Sequence, residues 1–158
     1  MQKIISKSFL LLFLFLTVNC GFKVINELED NNFSIQEIKT SGDKRVNFKI
    51  KNNLLTYSKT DGQKILLIDL NTRKNKNIKE KNIKNEITKY QISLNVNVKF
   101  NLINSDTNYA INLSNKGDYL VADSYSTTLN NEKKLIDNLI ENISEKIIKK
   151  ISLELDDI

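Results

Sequence analysis

The sequence lacks several of the residue types on which enzyme active sites depend. It has no histidine, no proline and no tryptophan, and only one cysteine and four glycines among its 158 residues. Without histidine, Ser-His and Cys-His catalytic pairs and histidine-ligated metal sites are excluded. The four glycines are too few and too scattered for a phosphate-binding loop or a dinucleotide fingerprint. We therefore expect a protein that is not an enzyme and has no catalytic residue, metal site or cofactor.

The net charge is modest and does not identify a binding partner by itself. The formal net charge is +5, with 27% charged and 40% hydrophobic residues, which is the composition of an ordinary globular protein. A chain of 158 residues is long enough for one domain with a substantial core. The basic balance agrees with an anionic partner such as phosphorylated lipid or a membrane surface. We expect no nucleic-acid partner, because the basicity partly reflects a general richness in lysine and asparagine.

The longest apolar run lies near the N-terminus and is too short to span a membrane. Phe9–Leu16 contains eight consecutive apolar residues, and Lys3 and Lys7 precede it. A transmembrane helix needs about 20 such residues, whereas a positive region followed by a short apolar core is typical of a secretory signal. The sequence therefore predicts a signal peptide over residues 1–19 and an exported chain.

The single cysteine follows this apolar run directly. Cys20 has no cysteine partner for an intramolecular disulfide, and it stands where bacterial lipoproteins carry the cysteine that receives the lipid. The alternative is a chance or buried cysteine after an ordinary signal peptide, because Leu16 and Asn19 depart from the usual lipobox. Gly21 stands where aspartate often directs retention in the inner membrane. We expect lipid attachment at Cys20, a tether over residues 20–32, and a location on the periplasmic side of the outer membrane.

A long alternating segment dominates the exported chain. Its apolar residues occupy every second position: Tyr90, Ile92, Leu94, Val96, Val98, Phe100 and Leu102. This period of two predicts a long strand with one dry and one wet face. The dry face needs a covering layer, and the wet face indicates an antiparallel or mixed sheet that is open to water on one side.

The other elements follow from shorter patterns. We predict a first strand from Phe33 to Lys39 and a helix of about four turns that begins at Asp43 and is ended near Asp61-Gly62. A strand from Gln63 to Leu70 continues into a basic half, and a polar connection follows from Glu80 to Glu86. After the alternating segment we predict a return strand from Tyr109 to Leu113, a turn or bulge at Asn115–Asp118, and an extended piece from Tyr119 to Tyr125. A last helix, capped by Thr127–Asn131, carries the stripe Ile136, Ile140, Ile143, Ile147 and Ile151. Residues 33–158 therefore form a single α+β domain, with two helices packed on one face of a four-stranded, mostly antiparallel sheet.

A basic run follows the apolar half of the second strand. It consists of Arg73, Lys74, Lys76, Lys79, Lys81 and Lys84. One interpretation is an anion-binding edge, since arginine makes bidentate phosphate contacts and lysine acts as a point charge. The other is a solvated edge strand that lysines protect against aggregation.

The order of these elements resembles that of the LptE family of lipopolysaccharide-assembly lipoproteins. The residues that carry the resemblance are Cys20-Gly21-Phe22, the segment Asn47–Leu55, the strand entry Lys89–Ile92, and Ser124-Tyr125-Ser126 before the last helix. The resemblance implies a lipoprotein of the Gram-negative outer membrane that sits inside an LptD-type β-barrel and assists lipopolysaccharide transport. From the charge of the basic run we predict, separately, that these residues contact lipopolysaccharide. The alternative function is a generic periplasmic lipid-binding lipoprotein or an auxiliary subunit of a lipid transporter.

Overall fold

The computed structural model describes residues 32–105 and 107–156. The predicted signal peptide, Cys20 and nearly all of the predicted tether lie outside the described residues. The elements in chain order are β1 (Phe33–Gly42), α1 (Lys44–Tyr57), β2 (Lys64–Lys81), β3 (Ile87–Leu102), β4 (Asn108–Leu120) and α2 (Tyr125–Asp156).

The four strands form one sheet in the order β1-β2-β3-β4. β1 pairs with β2 in parallel, and the two other pairs are antiparallel. The parallel pair follows from α1, because a helix between two strands carries the chain back to the end at which the first strand began. The predicted α+β class with a mostly antiparallel sheet is confirmed.

Both helices cover the same face of the sheet. The alternation predicted for β3 is observed, since Ile92, Leu94, Val96, Val98 and Phe100 are all buried. The members of α1 and α2 that complete this core are Val46, Ile50, Leu54, Leu139, Ile140, Ile143, Ile147, Ile148, Ile151 and Leu155. Full burial of one large apolar side chain is worth about 1.5–3 kcal/mol, so this single cluster is the main source of stability.

The two helices run in the same direction along the sheet. Lys49 forms an ion pair with Asp137. Four residues further along α1 and seven residues further along α2, the Asn53 amide donates to Ser144 Oγ over 3.2 Å. Because the residue numbers of these contacts increase along both helices, the N-termini of α1 and α2 lie at the same end of the covered face.

The junction of β1 and α1 requires glycine. Gly42 has φ 93°, and a Cβ there would lie 1.9 Å from the carbonyl oxygen of Thr72. Asp43 then caps α1 as predicted, because its Oδ1 accepts from the backbone of Arg45 and Val46. The predicted first strand was too short, since β1 continues through Thr40 to Gly42.

The predictions for the segment before α2 were wrong in three respects. β4 is continuous across Asn115–Asp118, where a turn or bulge was expected, because those residues pair with Ile92, Leu94 and their neighbours on β3. The chain is not extended to Tyr125; β4 ends at Leu120. α2 begins before the expected cap, and Ser124 Oγ accepts from the backbone of Thr127 over 3.1 Å at its start.

Candidate functional site

The second half of β2 extends beyond β1. The last residue pair between them is Gly42 and Thr72, whereas β2 stays paired with β3 as far as Lys81. Within the described part of the chain, β3 is therefore the only strand beside Arg73–Lys81. The basic half of β2 forms an edge of the sheet, as both interpretations of the basic run require.

The strand alternation divides the basic run between the two faces. Lys74 and Lys76 lie opposite the buried Leu94 and Ile92, on the face that the helices cover, whereas Arg73 lies on the open face. Lys74 Nζ is 3.4 Å from Asp43 Oδ2 at the start of α1. That lysine and the Val46 backbone hydrogen bond hold the pKa of Asp43 below its usual value, although burial alone would raise it.

Lys76 belongs to a cluster that joins the sheet to α2. Its Nζ is 2.6 Å from Glu132 Oε2, 4.3 Å from the centroid of the Tyr90 ring and 5.4 Å from that of Tyr119. The two tyrosine rings stack with centroids 5.6 Å apart, and the Tyr119 hydroxyl donates to the same Glu132 oxygen over 2.7 Å. The ammonium is thus held by a carboxylate and by two aromatic faces.

The electrostatics of this cluster favour the charged pair. Burial alone would lower the pKa of Lys76 and raise that of Glu132, but their mutual hydrogen bond and charges, with the Tyr119 hydroxyl, outweigh it. The pKa of Lys76 is therefore raised and that of Glu132 lowered, while burial and Glu132 raise the pKa of Tyr119. A lysine held in its charged form serves as the cation of an ion pair and not as a nucleophile or base.

The remaining lysines of the run surround the turn between β2 and β3. Lys79 is the extra residue of a bulge, and Lys81 Nζ donates to Asn85 Oδ1 over 2.9 Å. The Asn82 side chain organises the turn by accepting from the backbone of Lys84 and Glu86 over 2.9 and 3.0 Å. The structure therefore leaves Arg73, Lys79, Lys81 and Lys84 exposed. The side chains of Lys74 and Lys76 remain 27% and 40% exposed and form ion pairs with Asp43 and Glu132.

The open face of the sheet carries rows of polar side chains. Asn71 lies opposite Asn97, and Asn97 lies opposite Asn112. Asn71 Nδ2 donates to Ser41 Oγ over 2.6 Å, and the Asn97 amide donates to Asn112 Oδ1. This row crosses all four strands, which agrees with the predicted wet face.

A groove between the helices was not anticipated from the sequence. It has a volume of about 630 Å³ and lies between the first halves of α1 and α2. Its lining consists of Lys44, Arg45, Val46, Phe48, Lys49, Lys74, Leu129, Glu132, Lys133, Ile136, Asp137 and Ile140. The one sequence signal was Phe48, a large apolar residue beside the buried stripe of α1.

The described residues were also compared with two kinds of functional feature, metal-binding clusters and membrane-spanning helices. Among residues 32–105 and 107–156, no group of three His, Cys, Asp or Glu side chains is arranged to hold a metal ion. In the same part of the chain, neither helix contains a stretch that is long and apolar enough to cross a bilayer.

Comparison with known proteins identifies the fold but not a sequence family. No family model and no curated protein matches the sequence. Rare lipoprotein B from Shewanella oneidensis has a similar structure, with 12% identity and a TM-score of 0.57 over 76% of this chain and 97% of that one.

Two other solved structures share this architecture. A protein from Caulobacter crescentus assigned as a lipoprotein has 12% identity and a TM-score of 0.53, over 75% of this chain and 90% of that one. Lipoprotein B from Nitrosomonas europaea, described as uncharacterized, has 10% identity and a TM-score of 0.51, over 86% of this chain and 93% of that one.

Proposed function

We propose that the protein is an outer-membrane lipoprotein that assists lipopolysaccharide transport as the partner of an LptD-type β-barrel, and that it is not an enzyme. The observation that carries the proposal is the arrangement of two helices on one face of a mixed four-stranded sheet, a fold shared with rare lipoprotein B over 97% of that chain. The same order of elements underlies the LptE resemblance of the sequence.

Cys20 supplies the proposed membrane anchor. Each buried CH₂ of an acyl chain contributes about 0.8 kcal/mol, so two or three chains hold a folded domain at a membrane surface. We expect Cys20→Ala to release the mature protein into the soluble fraction of cells that lack the barrel. A Cys20→Ala protein that stays in the membrane fraction of such cells would contradict the anchor.

The open face of the sheet is the surface that we propose for contact with the barrel. Large outer-membrane barrels have polar interiors, and the row of Asn71, Asn97 and Asn112 offers amide donors and acceptors without apolar side chains. The helices already cover the opposite face. Contact through the open face therefore leaves the hydrophobic core undisturbed.

Affinity purification from the native outer membrane tests this contact. We expect the full-length protein to recover a large β-barrel, and the triple variant Asn71→Glu, Asn97→Glu and Asn112→Glu to lose it while its circular dichroism spectrum is unchanged. A matched control is Glu141→Lys with Glu145→Lys, which alters the exposed side of α2. Recovery of the wild-type protein with lipid but without any barrel would favour the alternative, a lipid-binding or transporter-auxiliary lipoprotein.

The proposed lipopolysaccharide contact uses the cations that face solvent. Arg73, Lys79, Lys81 and Lys84 are exposed, and clustered phosphates on lipopolysaccharide are a suitable counterpart. Lys74 and Lys76 of the original run would act indirectly, by holding the edge against the helices. Such exposed contacts weaken as the Debye length falls from about 10 Å at 0.1 M salt to about 3 Å at 1 M.

Charge reversal distinguishes the two interpretations of the basic run. Arg73→Glu with Lys79→Glu and Lys84→Glu should weaken binding to purified lipopolysaccharide and leave the thermal transition in place. Reversal of Lys146 and Lys150, which are exposed on α2, is the control. Unchanged affinity in the first variant would leave edge protection as the role of the run.

A further inference from the structure

The groove between the helices has an apolar floor that is open to solvent. Phe48 exposes 65% of its surface and Leu129 exposes 45%, and Ile136 lies beside them. A volume of about 630 Å³ lies within the range of ligand pockets, about 300–1,000 Å³. An aromatic side chain held at this exposure gains hydrophobic stabilisation only when a ligand covers it.

The rim of the groove has an excess of positive charge. Its two acids are already engaged, Glu132 by Lys76 and Asp137 by Lys49. The ion pairs of the described residues include none of Lys44, Arg45 and Lys133, which also line the groove. Since the Asp43 carboxylate already caps the N-terminus of α1, the positive charge of the rim comes from these three side chains, and it complements an anion.

We propose that this groove binds an amphiphile with a single acyl chain and a phosphate monoester headgroup. Arg45 is the bidentate phosphate ligand, and Lys44 and Lys133 contribute point charges. The acyl chain lies along Phe48 and Leu129 in the groove between the two helices. The proposal depends on the groove alone, and it requires neither the barrel nor lipopolysaccharide.

Calorimetry with three matched probes tests the assignment. The mature chain, residues 20–158 with Cys20→Ala, carries no acyl group of its own that would compete. We expect saturable 1:1 binding of lauroyl lysophosphatidic acid below its critical micelle concentration. Monolauroyl glycerol, which has the chain without the phosphate, and glycerol 3-phosphate, which has the phosphate without the chain, should each bind at least tenfold more weakly.

Variants locate the site. Phe48→Asp and the pair Arg45→Glu with Lys133→Glu should each weaken lysophosphatidic acid binding at least tenfold, with unchanged circular dichroism. Leu55→Asp and Lys146→Glu, at exposed positions of the same helices outside the groove, should change it less than twofold.

Three results would overturn the assignment. Equal binding of either partial probe, or equal effects of all variants, would show that the groove does not recognise the whole amphiphile. Binding only to phosphatidylglycerol vesicles would show a membrane-docking face in place of a site for one molecule. Since no barrel is present in these measurements, none of them bears on the proposed barrel contact.

Discussion

The two faces of the sheet differ in chemistry along the middle of β3, although they belong to the same four strands. On β3, Val96 exposes 2% of its surface beneath the helices, while its neighbours Asn95 and Asn97 lie on the open face. Neighbouring side chains of a strand point to opposite faces, so one residue of slip would exchange the two surfaces. Burial of one face therefore sets the register of this sheet, and the polar side chains of the open face take no part in the core.

The largest effect should come from placing a charge on the covered face. Val96→Asp introduces a carboxylate into the core without a partner, and we expect a loss of more than about 4 kcal/mol or failure to fold. Asn95→Asp, one residue away and opposite Arg73, should cost little. Thermal unfolding monitored by circular dichroism measures both. Similar losses in the two variants would refute the assignment of opposite faces.

A smaller effect is expected where the basic run reaches the covered face. Lys76→Met should cost about 0.5–1 kcal/mol, because Glu132 loses a cation that is itself partly exposed to solvent. Lys79→Met, at the exposed bulge, should leave the free energy of unfolding unchanged within about 0.5 kcal/mol. Urea denaturation measures the free energy of unfolding of both variants. Equal values would show that the ion pair of Lys76 with Glu132 does not stabilise the fold.

The same cluster predicts a dependence of stability on pH. The pKa of Glu132 is lowered in the folded protein, so its contribution is present above the ordinary value of 4.5 and is lost as the pH falls through the folded pKa. The pKa of Lys76 is raised, so its contribution is present below 10.5 and is lost at higher pH.

Glu132→Gln should therefore flatten the acid limb of the stability curve by about 0.5–1 kcal/mol between pH 6 and 3. Urea denaturation at several pH values measures this change. Glu141→Gln, on the exposed side of α2, should keep the wild-type curve. An acid limb that Glu132→Gln leaves unchanged would show that the ion pair does not contribute to pH-dependent stability.

The smallest effect is expected on the open face. Asn112→Ser removes the acceptor of the Asn97 hydrogen bond in an exposed position, and the free energy of unfolding should change by less than about 0.5 kcal/mol. A loss above 2 kcal/mol in urea denaturation would show that the polar row is part of the structural core and not a free surface.

The sequence predicted the elements whose burial pattern is strong. The alternation of β3 repeats over several residue pairs, and the isoleucine stripe of α2 repeats over several turns. The residues that form each pattern also pack in the core, so tertiary packing favours the same structure as the local pattern. Asn115–Asp118 was misread because Asn, Gly and Asp favour turns locally, whereas pairing with β3 decides the conformation. The strand–helix–strand order of β1, α1 and β2 is compatible with parallel pairing, but the register of Phe33 with Lys64 joins distant segments and has no local signal.

The candidate sites were less predictable for physical reasons. The basic run was treated as one surface, although continuing the alternation from Leu70 through Thr72 places Lys74 and Lys76 on the covered face. Their partners Asp43 and Glu132 come from other elements, so only the assembled fold brings them together. The groove likewise depends on how α1 and α2 are rotated about their axes. Phe48 lies beside the apolar stripe of α1, and the stripe alone does not show whether this side chain faces the core or solvent.

The length of β2 sets the distance between the start of β1 and the turn that joins β2 to β3. Phe33 pairs with Lys64, the first residue of β2, whereas the turn of Asn82–Glu86 lies past its last residue. Eighteen residues at about 3.3 Å each place these two points about 60 Å apart. A bilayer with its headgroups is about 40–45 Å thick. The tip of the β2–β3 hairpin, with the exposed Ile83, therefore lies farther from the first residue of β1 than a bilayer is thick.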